Sequence, residues 1–155
     1  METFWEELAR LYDRLDGILQ ATSRDCGVCG ECCRQAVSVR VRPLEADYVR
    51  KFVQNEAAVL KFLDFAAGNK IKIWGEATGQ CPFQEGALCS IYPVRPYSCR
   101  AYGHYDYRGM SILKNCVYYG HAIPYDHPAQ LPLYEEIEEL NARYLEKKAA
   151  AAFAG

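Results

Sequence analysis

Four cysteines lie within eight residues near the start of this 155-residue chain, in the segment Cys26-Gly-Val-Cys29-Gly30-Glu-Cys32-Cys33. A Cys-x-x-Cys turn lets two sulfur atoms converge on one metal, and Gly30 removes the steric cost of a left-handed turn after Cys29. Four cysteines this close together are not expected to be ordinary core residues. The segment, which we call the cysteine octet, therefore predicts a metal site.

Four further cysteines follow the octet, so that the chain has eight in all: Cys81, Cys89, Cys99 and Cys116. Eight thiols suffice for one cluster with spare ligands or for two four-cysteine sites. We predict a first site made by Cys26, Cys29, Cys81 and either Cys32 or Cys33, with the other cysteines as alternates or as a second site. Because residues 78–125 are rich in Gly, Pro, Tyr and Cys, metal ligation would help to fix their conformation.

The cysteines admit disulfides, metal binding or redox catalysis. The charged amino-terminal stretch lacks the apolar region and cleavage site of a secretory signal, and no apolar run reaches the ~20 residues of a membrane span. We therefore expect a cytoplasmic protein, in which a cysteine cluster more often binds metal than forms disulfides. The net charge of −2 argues against nucleic acid as the main partner. The expected partner is another protein.

The length predicts a single domain over 1–155, with a cysteine-cluster metal-binding core at 26–116 and flanking helices at 1–21 and 133–152. The predicted fold class is mainly α with short strands. In that fold, helices wrap around a cysteine-rich metal site that is built from loops.

Three helices are predicted from apolar residues at three- and four-residue spacing. The first covers 2–21 and buries Phe4, Leu8, Leu11, Tyr12, Leu15, Ile18 and Leu19. The second starts at Pro43, ends at Gly68-Asn69, and buries Leu44, Tyr48, Phe52, Val59, Phe62 and Leu63. The third, from Leu133 to Ala152, buries Leu133, Ile137, Leu140, Tyr144 and Leu145, and its end at Ala149–Ala152 should fray. Short strands are expected at 36–41 and 70–74.

The spacing leaves two metals open. Cys-x-x-Cys-x-x-Cys is similar to the start of a bacterial ferredoxin motif whose fourth cysteine precedes proline, and here Cys81 precedes Pro82. That pattern favours a [4Fe–4S] cluster. Zinc sites more often use two Cys-x-x-Cys pairs; the octet holds two overlapping copies and the later cysteines hold none.

The octet, followed by Cys81-Pro-Phe and by Cys89-Ser-Ile-Tyr-Pro-Val-Arg-Pro-Tyr-Ser-Cys-Arg, resembles the YkgJ-type cysteine-cluster (CxxCxxCC) family. That family is described as a zinc- or iron-chelating domain, and the resemblance covers 26–116. It implies metal or iron–sulfur binding by these cysteines. The flagellin lysine methylases are distantly similar and carry a like cluster, which is implicated there in methyl transfer. This chain is far shorter, and its segment 84–88 is less regular than the family's acidic turn.

Other side chains could assist the site. Arg95 and Arg100 flank Cys99 and could bind thiolates, sulfides or an anionic partner, and their alternative role is to bind backbone carbonyls or form surface salt bridges. Tyr92 is expected to pack over the site and exclude water. Three histidines are further candidate ligands or proton carriers, the first being the strongest: His104, His121 and His127.

Three functions fit these observations. The first is an iron–sulfur protein for electron transfer, redox sensing or modification of a partner. The second is a zinc-binding structural or interaction module. The third is a methyltransferase- or oxidoreductase-type catalytic subunit with an open metal position. The sequence has no Gly-x-Gly-x-x-Gly, phosphate loop, His-Glu-x-x-His or Gly-x-Ser-x-Gly motif, and it lacks the Cys-x-x-x-Cys-x-x-Cys arrangement of radical enzymes that cleave S-adenosylmethionine. It therefore predicts no nucleotide or methyl-donor pocket.

Overall fold

A computed structural model of the protein describes most of the helical scaffold and part of the cysteine-rich region. The described residues are 2–22, 40–66, 72–73, 76–77, 83–85, 88–101, 104–107 and 121–154. They form five α-helices and six short strands, which confirms the predicted mainly α fold with short strands. Six of the cysteines lie outside the described residues: Cys26, Cys29, Cys32, Cys33, Cys81 and Cys116.

The first helix, α1, spans Phe4–Leu19, as predicted to within two residues at each end. It begins with a capping box, in which the Thr3 hydroxyl accepts from the Glu6 amide and the Glu6 carboxylate accepts from the Thr3 amide. Ile18, predicted to be buried, is 44% exposed because it lies at the edge of the apolar stripe. The buried residues of α1 are Leu8, Leu11, Tyr12, Leu15 and Leu19.

The second predicted helix is in fact two, α2 at Pro43–Val53 and α3 at Glu56–Ala66. The chain breaks at Gln54, whose φ of 54° lies in the left-handed region. The side-chain oxygen of Asn55 then accepts a hydrogen bond from the Ala58 amide at the start of α3. Phe52, predicted to be buried, is 51% exposed because it lies in the last turn before this break.

The middle of the chain contributes three two-stranded sheets and one short helix. Two sheets are antiparallel: β1 (Lys72–Ile73) with β2 (Glu76–Ala77), and β3 (Gln84–Glu85) with β4 (Leu88–Cys89). The third pairs β5 (Tyr105–Tyr107) in parallel with β6 (Ile123–Tyr125). A 3₁₀ turn at Tyr92–Val94 and the one-turn helix α4 at Tyr97–Ala101 follow β4. The strand predicted at 70–74 is confirmed at its described residues, whereas 36–39 lie outside them and 40–41 are not strand.

The last helix, α5, spans Tyr134–Ala154. The alanine-rich end that was predicted to fray is helical, since the helix continues past Ala152. Ile137 and Leu140 are buried as predicted. Leu145, also predicted to be buried, is 40% exposed.

Two core clusters hold these elements together. The first core cluster joins α1 and α5 to Leu44 of α2 and to Tyr97 and Ala101 of α4. The second core cluster joins α2 and α3 to apolar side chains of the 83–94 region. The chain between Cys89 and Cys99 therefore passes from one cluster to the other. Among the described helices, none is long and apolar enough to cross a membrane.

Candidate metal centre

The two described cysteines lie on either side of an irregular segment, residues 91–98. Cys89 ends β4 and packs, half-buried, against the second core cluster. Cys99 lies in the middle of α4 and is also half-buried. Within the part of the chain that the structure describes, no three His, Cys, Asp or Glu side chains meet in a metal-binding group. Ligation by all eight cysteines thus stays a prediction.

Hydrogen bonds fix the chain between these two cysteines. The backbone amide and hydroxyl of Ser90 both donate to the Phe83 carbonyl at 2.8 Å, and this closes the β3–β4 hairpin. The amide of Val94 donates to the Ile91 carbonyl at 2.9 Å and forms the 3₁₀ turn. The position of Cys99 relative to Cys89 is therefore set by a folded connection.

Arg100, next to Cys99, is almost fully buried, and its guanidinium group contacts three oxygen atoms. Its Nε donates to the Arg95 carbonyl and its Nη2 to the Pro93 carbonyl, both at 2.8 Å. Its Nη1 forms a 2.7 Å ion pair with Asp16 of α1. The guanidinium carbon lies 4.0 Å from the centre of the Tyr12 ring. Arg100 thus clamps the segment before Cys99 to α1, the carbonyl-binding role given above as its alternative.

Arg95 and Tyr92 lie together nearer the surface. Arg95 Nε donates to the Tyr92 carbonyl at 3.1 Å, and its guanidinium carbon lies 3.7 Å from the centre of the Tyr92 ring. Tyr92 is 58% exposed. Tyr97 is the buried tyrosine of this region, and its hydroxyl donates to the Pro132 carbonyl at 2.6 Å.

His104 is the buried one of the three candidate histidines, whereas His121 and His127 are exposed. It follows α4, and its backbone amide donates to the Ala101 carbonyl at 3.1 Å. Burial, and secondly the charge of Arg95, lower the pKa of the His104 imidazole below its usual value. The side chain is therefore neutral at pH 7, which is the form that can bind a metal.

Glu45 on α2 is a buried carboxylate that sequence reasoning missed. Its Oε2 accepts from the Tyr12 hydroxyl at 2.6 Å and from the Tyr97 backbone amide, the first of α4, at 2.5 Å. Its Oε1 accepts from Arg42 Nη1 at 3.1 Å and from the Arg42 amide at 3.4 Å. The one local sign of its role is that Glu45 follows Pro43 by two residues, a pattern typical of a helix start. That pattern does not predict the burial of Glu45.

Arg42 balances the charge of Glu45 and is itself buried. Its Nη2 lies 2.6 Å from a carboxylate oxygen of Glu138 on α5. Its guanidinium carbon lies 5.3 Å from the Tyr97 ring centre and 5.5 Å from that of Tyr134. Buried charges are tolerated only when they are paired and hydrogen-bonded, and both conditions are met here.

Tyr12 connects this network to Arg100, the residue that follows Cys99. Burial, then the Glu45 carboxylate that accepts its hydrogen bond, hold the pKa of Tyr12 well above its usual value. The Tyr12 ring centre also lies 4.0 Å from the guanidinium carbon of Arg100. Tyr12 thus contacts both Glu45 and the short helix α4.

The described donors fit a thiolate-bound metal. Thiolates are preferred ligands of zinc and iron, and a thiolate is stabilised by nearby cationic side chains. Cys89 and Cys99 are half-buried, and Arg95 lies in the same short stretch of chain, whereas the Arg100 guanidinium group is bound to Asp16 and two carbonyls. These two thiols could serve as ligands together with cysteines outside the described residues.

The chain belongs to the CxxCxxCC family, whose description is "Putative zinc- or iron-chelating domain" and whose model matches residues 25–122. The match covers well over half of the chain and includes all eight cysteines. The class of site is therefore a cysteine-bound metal, zinc or iron. No curated protein and no solved structure matches the chain.

Proposed function

We propose that this protein holds an iron–sulfur cluster, of the [4Fe–4S] type, for electron transfer or for modification of a protein partner. The observation that carries the proposal is the sequence pattern, in which three octet cysteines at two-residue intervals are combined with a later Cys81-Pro82. Iron–sulfur clusters of the ferredoxin type use this arrangement of ligands. Zinc in a closed four-cysteine site, with a structural role, is the competing reading.

The scaffold around the two described cysteines holds the chain next to Cys99 through polar contacts of its own. Arg100 fastens the chain ahead of Cys99 to α1, and Glu45 fastens the start of α4 to α2. When bound, a cluster would supply a one-electron redox centre. The burial of the ligands and the hydrogen bonds around them would tune its potential.

Metal identity is the decisive measurement. The full chain should be purified without oxygen from iron-replete cells and analysed for iron, acid-labile sulfide and zinc. We expect about four irons and four sulfides per chain, with a broad visible absorption that bleaches on reduction. Colourless protein that carries one or two zinc ions and no iron would overturn the iron–sulfur proposal and establish the zinc module.

Two substitutions test the ligand assignment. We expect Cys29→Ala and Cys81→Ala each to abolish metal retention and to destabilise the fold, because each removes a predicted thiolate ligand of the first site. Val28→Ala is a matched control, since it shortens a side chain of the same octet and leaves every thiol in place. If both cysteine variants kept the full metal content and melting temperature, the assignment would be wrong.

A further inference from the structure

We propose that Glu45 is a positioning residue for the metal centre, which fixes the direction of the Cys99 thiol through the first turn of α4. The inference rests on Cys99 being a ligand, as one of the alternate or second-site cysteines predicted above. It does not depend on whether the metal is iron or zinc.

The short helix cannot orient itself. α4 has only five residues, and an isolated helix of this length is unstable because its few hydrogen bonds do not offset the cost of ordering the chain. Its direction must therefore come from tertiary contacts, which are the packing of Tyr97 and Ala101 in the first core cluster and polar contacts at its two ends. Arg100 supplies the contacts at the carboxyl end, to Asp16 and to two backbone carbonyls.

Glu45 supplies the contact at the amino end. Its Oε2 lies 2.5 Å from the amide nitrogen of Tyr97, two residues before Cys99. The Tyr12 hydroxyl, at 2.6 Å, holds the same oxygen atom in place. The carboxylate, the amide and the phenol therefore define one position for the start of the turn that carries Cys99.

A packing role alone does not account for a carboxylate at this point. Glu45 is fully buried, and an apolar side chain of similar volume would fill the space without the cost of removing a charge from water. What an apolar side chain cannot do is accept hydrogen bonds from Tyr97 and Tyr12. Arg42 would remain paired with Glu138 at 2.6 Å if Glu45 were replaced, so the fold retains a partner for the buried guanidinium group.

The chain offers a matched control on the same helix. Asp47 is a second carboxylate of α2 that accepts a hydrogen bond from a tyrosine hydroxyl, that of Tyr144. It also pairs with Arg50 at 2.6 Å and with Lys148 at 2.9 Å. These partners belong to α2 and α5, away from α4, so the loss of Asp47 should cost stability without disturbing Cys99.

The experiment compares Glu45→Ala, Asp47→Ala and Cys99→Ala in the full chain, each purified with its metal. The readouts are the number of sulfur ligands, from X-ray absorption at the metal edge, and the rate of metal loss to a chelator. We expect Glu45→Ala to lose metal about 10- to 100-fold faster than the native chain, as found for residues that orient metal ligands. Asp47→Ala should stay within about twofold of the native rate.

Two further variants separate positioning from general destabilisation. Glu45→Gln should lose metal more slowly than Glu45→Ala, because its amide oxygen can accept from both Tyr97 and Tyr12 while its NH2 group loses only the contacts with Arg42. Adding Glu45→Ala to Cys99→Ala should cause no further acceleration, since the ligand that Glu45 positions is already absent. If Glu45→Ala does not fold, Glu45→Asp keeps the charge beside Arg42 but draws the carboxylate back from Tyr97, and it should show the same acceleration.

The outcomes distinguish this inference from the function on which it rests. If Cys99→Ala leaves the sulfur count and the rate of metal loss unchanged, Cys99 is not a ligand, and both that assignment and the inference fall. Suppose instead that Cys99→Ala changes the sulfur count and the rate of metal loss, while Glu45→Ala or Glu45→Asp loses metal no faster than Asp47→Ala. Only the positioning role of Glu45 is then overturned.

Discussion

Replacing Tyr12 by phenylalanine tests the buried network with the loss of a single atom. The Tyr12 hydroxyl donates to the Glu45 carboxylate at 2.6 Å, and the residue is almost fully buried. Phenylalanine keeps the ring, which lies 4.0 Å from the Arg100 guanidinium carbon and is stacked on Tyr48 at 6.1 Å. The change in stability therefore reports on the hydrogen bond with little contribution from packing.

The expected magnitude follows from the partners that remain. A hydrogen bond to a charged group contributes about 1.5–3 kcal/mol. Since Glu45 Oε2 still accepts from the Tyr97 amide, the lower half of this range applies, and we expect a loss of about 1.5–2 kcal/mol. In a domain of this size, 1 kcal/mol corresponds to about 2–4 °C, so the melting temperature should fall by about 3–8 °C.

The measurement is urea unfolding of the native and variant chains at equal metal content, because bound metal itself stabilises the folded state. Tyr48→Phe is the control, since the Tyr48 hydroxyl has no hydrogen-bond partner within the described part of the chain while its ring stacks on Tyr12. The control should change the free energy of unfolding by less than about 0.5 kcal/mol. If Tyr12→Phe gave the same small change, the hydrogen bond to Glu45 would not be a significant source of stability.

Two other substitutions probe the scaffold, and a third serves as the control for one of them. Partial burial opposes ionisation of Asp47, but hydrogen bonds, chiefly from Tyr144, lower the pKa of its carboxyl group. The charged carboxylate therefore stabilises the fold above its unfolded-state pKa. This contribution is lost as the pH falls through the folded-state pKa. Asp47→Asn should therefore be less stable than the native chain at pH 7, and urea unfolding down to pH 3 should show the difference narrowing; a constant difference would contradict the charged hydrogen bonds. Phe62 is buried, and its ring centre lies 5.1 Å from that of Phe83. Phe62→Ala should lower the free energy of unfolding by about 3–5 kcal/mol. Phe52 is exposed, so Phe52→Ala should lower the free energy of unfolding by less than about 0.5 kcal/mol. Equal losses of stability for Phe62→Ala and Phe52→Ala would show that the second core cluster is wrongly placed.

Local pattern was sufficient to locate the helices but not every break in them. The spacing of apolar residues placed α1 and α5 because their buried faces repeat over several turns. The break between α2 and α3 was missed because Gln54 adopts a left-handed conformation that its residue type does not favour. The following Asn55, a good amino-terminal cap, was the one local sign of a new helix.

The network around the candidate site was beyond sequence reasoning for a different reason. Glu45 contacts Tyr97 across 52 positions of the chain, and Arg100 contacts Asp16 across 84. Such pairs depend on how helices pack and have no local periodicity. A lone glutamate is also expected to lie at the surface, since carboxylates are almost never fully buried without a partner. The cysteine pattern, by contrast, is local, and it identified the chemical class of the site.

The contact between Glu45 and the start of α4 also bears on how the protein matures. Residues from three separate helices must come together before the turn around Cys99 has its final direction, and contacts so distant in sequence form late in folding. A newly made chain would therefore expose some of its thiols before they have the geometry to receive metal. Metal loading should then follow closure of the helical scaffold, with the rate of folding setting an upper limit on the rate of incorporation.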